Sequence, residues 1–144
     1  MIHLIAISAY IHTHIFGVIL AVVAAMCVGF VWYGMLFTKT WTHLSKLDHL
    51  SDAQKKETMI PGTLATAVMA FVQSALLGRA FEMLYLPSIG YAFLIATLFW
   101  IPFTALVLLN MYVWARKPFV LFCIDAGYTL VTMWVLAAVL YVTL

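Results

Sequence analysis

Charge is scarce in this chain. Five carboxylates and seven basic residues are spread over 144 positions, so only 8% of the sequence is charged, against about 25% in soluble domains. Too little polar surface remains to coat a globule in water, which excludes an ordinary soluble fold. The formal net charge of +2 is too small for a nucleic-acid partner, and none is expected. Cysteine is nearly absent too. Cys27 and Cys123 show no CxxC or Cys/His ligand spacing and cannot build a disulfide framework, so both read as small buried hydrophobes. No nucleophile–base arrangement and no phosphate-binding glycine loop is visible, and Ser8, Ser45, Ser51, Ser74 and Ser88 lack any flanking catalytic pattern.

What fills the sequence instead is apolar residue, at 67%. A spanning helix needs about 20 mostly apolar residues, and four windows qualify, at about 15–37, 60–80, 89–114 and 119–144. The expected fold is therefore all-α: an integral membrane four-helix bundle forming a single domain over 1–144. Its spans are antiparallel with short connections, and one longer polar loop covers 38–59. Residues 2–11 are apolar, but no basic segment precedes them and no small-x-small cleavage site closes them, so an uncleaved first helix is expected rather than a signal peptide. Residues 2–37 as one helix would measure about 54 Å, too long for a simple span, so a break, projection or surface segment is expected near His12–Gly17. Pro61 suits a first helical turn. Pro102 lies inside the third span and should bend it.

Orientation follows from the basic residues. Lys39, Lys46, Lys55 and Lys56 occupy the first loop and Arg116 and Lys117 the third, leaving only Arg79 on the other side. That asymmetry predicts cytoplasmic loops at 38–59 and 115–118, with both termini outside an inner membrane. Within the long loop, Trp41, Leu44, Leu47 and Leu50 recur every third residue, as in a short helix on the membrane surface. A solvated loop with chance apolar residues remains the alternative. Ser51 and Gln54 resemble a capping box.

The end of the first span carries the sharpest local pattern: Gly29-Phe30-Val31-Trp32-Tyr33-Gly34-Met35-Leu36-Phe37, then Lys39 and Trp41. With Ile124-Asp125-Ala126-Gly127-Tyr128 in the last span, it resembles the bacterial family named "domain of unknown function 1761". The resemblance runs from about residue 17 to 144 and departs at Met35, where the family pattern has proline. It implies a small bacterial membrane protein of four helices and carries no activity. Trp32-Tyr33 before Lys39 also echoes Tyr112-x-Trp114 before Arg116. Aromatic belts beside positive loops account for that echo without a duplication.

Few residues are placed for chemistry. His12 and His14, with His3 nearby, could bind copper or zinc, but on a helix the first two point about 200° apart. No cysteine or carboxylate lies close, so neither a metal nor a cofactor is expected. His43 and His49 read as solvated. Arg79 and Glu82 are spaced to pair across one turn. Eight methionines are scattered as gap-fillers. Two rows of small residues, Gly17, Ala21, Ala25 and Gly29 on the first span and Gly62, Thr66, Ala70, Ser74 and Gly78 on the second, predict close helix–helix contacts.

Asp125 is the one acidic residue well inside a span. It lies about 10 Å inward from Pro118, and Asn110 and Tyr33 lie about 9 Å inward from Arg116 and Lys39. Thr66 is a further candidate for this layer, and Tyr128 lies one turn deeper. A carboxylate at this depth favours a partner, so Asp125 is expected to face the interior and to hydrogen-bond with Asn110 or a tyrosine hydroxyl. Three function classes follow. The preferred one is a structural or regulatory membrane subunit that self-associates or binds another membrane protein. The second is a small oligomeric transporter or channel with a polar layer near the cytoplasmic side. The third is a membrane enzyme or a binder of a lipid-soluble molecule.

Overall fold

The structure, a computed structural model, describes residues 2–144, and the side chains of residues 2–6, 8, 52, 55 and 58 lie outside that description. The position of the His3 imidazole beside His12 and His14 is thus outside the described residues, as is the Ser8 hydroxyl. Among the described residues six α-helices follow in order: α1 Ile2–Val31, α2 Thr38–Leu44, α3 Asp52–Leu84, α4 Ile89–Trp100, α5 Leu106–Trp114 and α6 Phe119–Thr143. No strand occurs among the described residues. Four helical stretches among the described residues are long and apolar enough to cross a membrane: Ala9–Leu36, Met59–Leu84, Ile89–Trp114 and Phe119–Thr143.

Two of these stretches contain a wider, π-helical turn. Trp32–Leu36 extends α1, and Ile101–Ala105 joins α4 to α5. At the second, Pro102 has no N–H to give the Leu98 carbonyl. The chain absorbs that loss by widening, and Leu106 N–H reaches back to the Ile101 carbonyl. The break expected between His12 and Gly17 falls at His14, whose φ of −116° and ψ of 24° interrupt α1.

The stretch 38–59 holds the short helix that the spacing of Trp41 and Leu44 suggests, although it ends before Leu47 and Leu50. α2 occupies its start, residues 45–51 form the only irregular part, and α3 is already helical from Asp52. The cause is local. The Ser51 hydroxyl accepts from Gln54 N–H at 3.3 Å while the Gln54 side chain accepts from Ser51 N–H at 2.9 Å, satisfying two donors that a helix start leaves bare. Hydropathy detects the lipid-sized part of α3 and misses the polar turns before it. Pro61 consequently sits inside a 33-residue helix and not in its first turn. Ser51→Ala is expected to cost about 1 kcal/mol and to raise hydrogen exchange over residues 52–58. Unchanged exchange there would show that the cap does not hold the helix start.

In packing, α6 lies at the centre. It contacts α1, α3 and α4, while α1 also packs along α3. The third span rests mainly on α6 and leaves most of its own surface outward. The core that results is built of small residues: Ala21, Ala25, Ala92, Ala96 and Ala137 are fully buried, with Leu136, Leu140 and Phe81 between them. Small side chains let backbones approach and gain dispersion contacts, which replace a hydrophobic drive that lipid does not supply.

The two small-residue rows behave unequally. On α1, Ala21 and Ala25 are buried, Gly17 abuts Thr143, and a Cβ at Gly29 would stand 3.3 Å from the Tyr128 hydroxyl. On α3, Ala70 and Ser74 are buried and Gly78 lies directly beneath Tyr10. Gly62 is different. Nothing lies within 4 Å of a Cβ there, and residues 59–65 are all exposed. The row fails at that end because α3 stands clear of its neighbours, so periodicity continues where contact does not. The cysteines also differ from expectation: Cys27 and Cys123 are both exposed, on outward faces where a thiol is as acceptable to lipid as a methyl group. Most methionines likewise point outward, Met35, Met59, Met69, Met83 and Met111 among them, while Met133 is buried.

Candidate functional site

At the end of the bundle that carries Lys39, Arg116 and Lys117, three separate elements converge on one carboxylate. Tyr33, in the π-helical turn after α1, donates its hydroxyl to Asp125 Oδ1 at 2.8 Å. Trp41 on α2 donates its indole N–H to the same oxygen at 3.2 Å. Tyr112 on α5 donates its hydroxyl to Oδ2. An ionised carboxylate accepts and never donates, so a cage of donors suits it. Hydrogen bonds to a charged group contribute about 1.5–3 kcal/mol each.

Local geometry explains how the donors arrive. Adjacent residues on a regular helix point about 100° apart. The wider turn at Trp32–Leu36 lets both Trp32 and Tyr33 meet α6, with the Trp32 indole N–H bonded to the Ile124 carbonyl at 3.0 Å. Gly127 makes room for that indole, since a Cβ there would stand 3.1 Å from its ring. Tyr33 packs against Trp41 and Tyr128 with ring centres 5.0 and 4.8 Å away. The Lys117 ammonium lies 5.2 Å over the Tyr112 ring. The carboxylate is thus walled by aromatic rings at the level where the spans meet their basic connections.

Asn110 is not part of this cluster. It is exposed and makes no hydrogen bond among the described residues, because Tyr112, two positions on and about 200° around the helix, is the buried residue of that turn. Counting residues gives depth but not the direction a side chain faces. Thr66 is also elsewhere. Its hydroxyl donates to the Gly62 carbonyl at 2.9 Å, and it borders a cleft deeper in the bundle. Tyr128 adjoins Tyr33 without bonding to Asp125. Sequence reasoning missed Trp41 and Tyr112 as partners. Their signal was an aromatic residue within five positions of each basic connection, which also fits an interfacial belt.

The opposite end holds a second polar group. Arg79 Nη1 donates to Glu82 Oε2 at 2.9 Å, and His14 Nε2 lies 3.1 Å from Glu82 Oε1. The Tyr10 ring stacks on the His14 imidazole at 4.9 Å. The distortion at His14 gives its imidazole this inward direction, whereas His12 is exposed. No three His, Cys, Asp or Glu side chains gather for a metal ion among the described residues. Neither polar group presents a nucleophile beside a base.

Four lipid-length apolar helices with polar clusters held inside them define a helical membrane-type bundle. The model of the family described as "Protein of unknown function (DUF1761)" matches residues 16–141, and the chain belongs to that family. No curated protein and no solved structure matches it.

Proposed function

We propose that this protein is a structural or regulatory membrane subunit, working by association with copies of itself or with another membrane protein. The observation carrying this reading is the binding of Asp125 by donors from within its own chain. Both of its oxygens are bonded from within the chain, by donors on the turn after α1, on α2 and on α5. A carboxylate that accepts from three donors of its own chain ties four elements together, as an architectural clasp does. The outward surface of the third span supplies an area for association, with Leu98, Phe103, Leu106 and Val113 all exposed. In this reading the basic connections face the cytoplasm, following the excess of Lys and Arg on that side.

Two measurements test the proposal. Native mass spectrometry from lipid nanodiscs should show a defined oligomer or a stoichiometric membrane partner. A monomer with no partner, in nanodiscs prepared directly from native membranes, would remove the association role. For topology, single cysteines are placed in a Cys27→Ala/Cys123→Ala background. Labels at Lys46 and Lys117 should share the cytoplasmic face and a label at Leu144 should lie opposite. Labels at Lys46 and Lys117 on opposite faces would refute the orientation.

A further inference from the structure

At the end of the bundle opposite Asp125, the group of His14, Arg79 and Glu82 opens onto a recess of about 690 Å³ bordered by α1, the end of α3 and the end of α6. Small-molecule sites span about 300–1,000 Å³, so the space is of ligand size. The buried Phe81 ring lines it from within, and Tyr85, 89% exposed, borders it from outside. At about 1.5 Å per residue, Arg79 lies about 8 Å and Glu82 about 3 Å inside the Leu84 end of their apolar stretch. Ionised side chains within a span are costly and mark places where a partner or ligand is met.

The pair is not used up by its own contacts. A guanidinium is a fork of several N–H donors, and among the described residues Arg79 gives one hydrogen bond, from Nη1 to Glu82 Oε2 at 2.9 Å. Glu82 has His14 at its other oxygen, and each carboxylate oxygen can take a further donor. The two side chains are 33% and 28% exposed, so both are reached from the recess. The Tyr141 hydroxyl, also at its border, forms no hydrogen bond among the described residues.

Charge balance fixes the class of occupant. Arg79 and Glu82 cancel, and no other Lys, Arg, Asp or Glu borders the recess among the described residues. A simple anion would gain Arg79 but meet Glu82, and a simple cation the reverse. A head carrying both charges a few bonds apart meets both. Phosphate oxygens suit the planar fork of arginine, and an ammonium supplies N–H donors to a carboxylate. Outside the recess, Met83, Leu84 and Leu144 are exposed and apolar, which lets acyl chains stay in the bilayer while the head enters.

We propose that this recess binds a zwitterionic head, an ammonium beside a phosphate, as in an aminophospholipid, with the phosphate on Arg79 and Tyr141 and the ammonium on Glu82. The site goes beyond the association role and stands independently of it. To test it, the full-length protein is held in detergent micelles with equal amounts of phosphatidylethanolamine, phosphatidylcholine and phosphatidylglycerol of matched chains. Bound lipid is then counted by native mass spectrometry. Phosphatidylethanolamine should be retained about five- to tenfold over the other two, the effect of one hydrogen bond, because choline has no N–H and glycerol has no charge. Glu82→Gln keeps the shape and removes the negative charge, so Arg79 is left unbalanced and phosphatidylglycerol should become the preferred lipid. A purely structural ion pair would not reverse that order. Tyr141→Phe should lower retention of all three about fivefold and leave their order unchanged. Excess glycerophosphoethanolamine, the head without chains, separates two sources of this chemistry. Displacement of the lipid assigns the recess to a water-soluble zwitterion, and persistence assigns it to the lipid. Equal retention of the three lipids by the parent, or preference for either of the other two, overturns the site. An unchanged order in folded Glu82→Gln overturns it, as does undiminished retention in Tyr141→Phe. Oligomer mass, read separately, leaves the association role to stand or fall on its own.

Discussion

Asp125→Ala is expected to destabilise the protein by about 2–4 kcal/mol, while Asp125→Asn should cost no more than about 1 kcal/mol. Alanine removes the common acceptor and strands the hydroxyls of Tyr33 and Tyr112 and the indole N–H of Trp41. Each unmade bond to a charged acceptor is worth about 1.5–3 kcal/mol. The cluster is only part-buried, and such losses do not add fully, so the total falls short of three separate bonds. Asparagine keeps one acceptor oxygen, and its amide can donate to a tyrosine hydroxyl, which accepts as well as donates. Because Trp41 is the tie between α2 and α6, alanine should also raise hydrogen exchange over Thr38–Leu44. Unfolding by detergent titration and exchange by mass spectrometry measure the two effects. Equal stability of the alanine and asparagine variants would contradict the role of Asp125 as a tie. Should Asp125→Asn keep the fold but abolish an ion flux measured in proteoliposomes, the transporter reading would replace the subunit.

The parts of this architecture that composition controls were legible from residue order. Four apolar windows correspond to the four lipid-length helices, because twenty consecutive apolar residues leave the backbone few alternatives in a membrane. Pro102 and the Ser51–Gln54 box were equally readable, since each acts through its own backbone neighbours. What could not be read was direction around a helix. Asn110 and Tyr112 sit at similar depth, yet only Tyr112 faces Asp125. Nothing in the third span marks that face, because both sides of it are apolar. The wider turn at Trp32–Leu36 adds to the difficulty: it changes the angular step in the stretch that carries Tyr33. Gly62 shows the converse limit. A spacing of four places it in line with Ala70 and Ser74, but the row is useful only where another helix approaches, and none does there.

Gly78→Ala should destabilise the protein by about 2–3 kcal/mol, an unusually large effect for one added methyl group. The new Cβ would overlap the hydroxyl and ring of Tyr10. Tyr10 is 2% exposed, so its ring has no open space into which to retreat. The same ring stacks on His14, which in turn meets Glu82. Displacing Tyr10 therefore disturbs the contact between α1 and α3 and the polar group at that end together. Gly62→Ala supplies the control on the same helix. Nothing lies within 4 Å there, and exchanging glycine for alanine in an exposed helical turn should stabilise by about 0.5–1 kcal/mol. A shorter side chain at position 10 should relieve the clash. Tyr10→Leu alone loses the stacked ring and is destabilising, but adding Gly78→Ala to it should cost little more. The double-mutant cycle then isolates the steric coupling from the loss of the ring. Detergent-titration unfolding of the four variants and the parent gives every term. If Gly78→Ala proves as benign as Gly62→Ala, or if its cost is the same with Leu at position 10, the close approach of α1 and α3 at Gly78 is refuted.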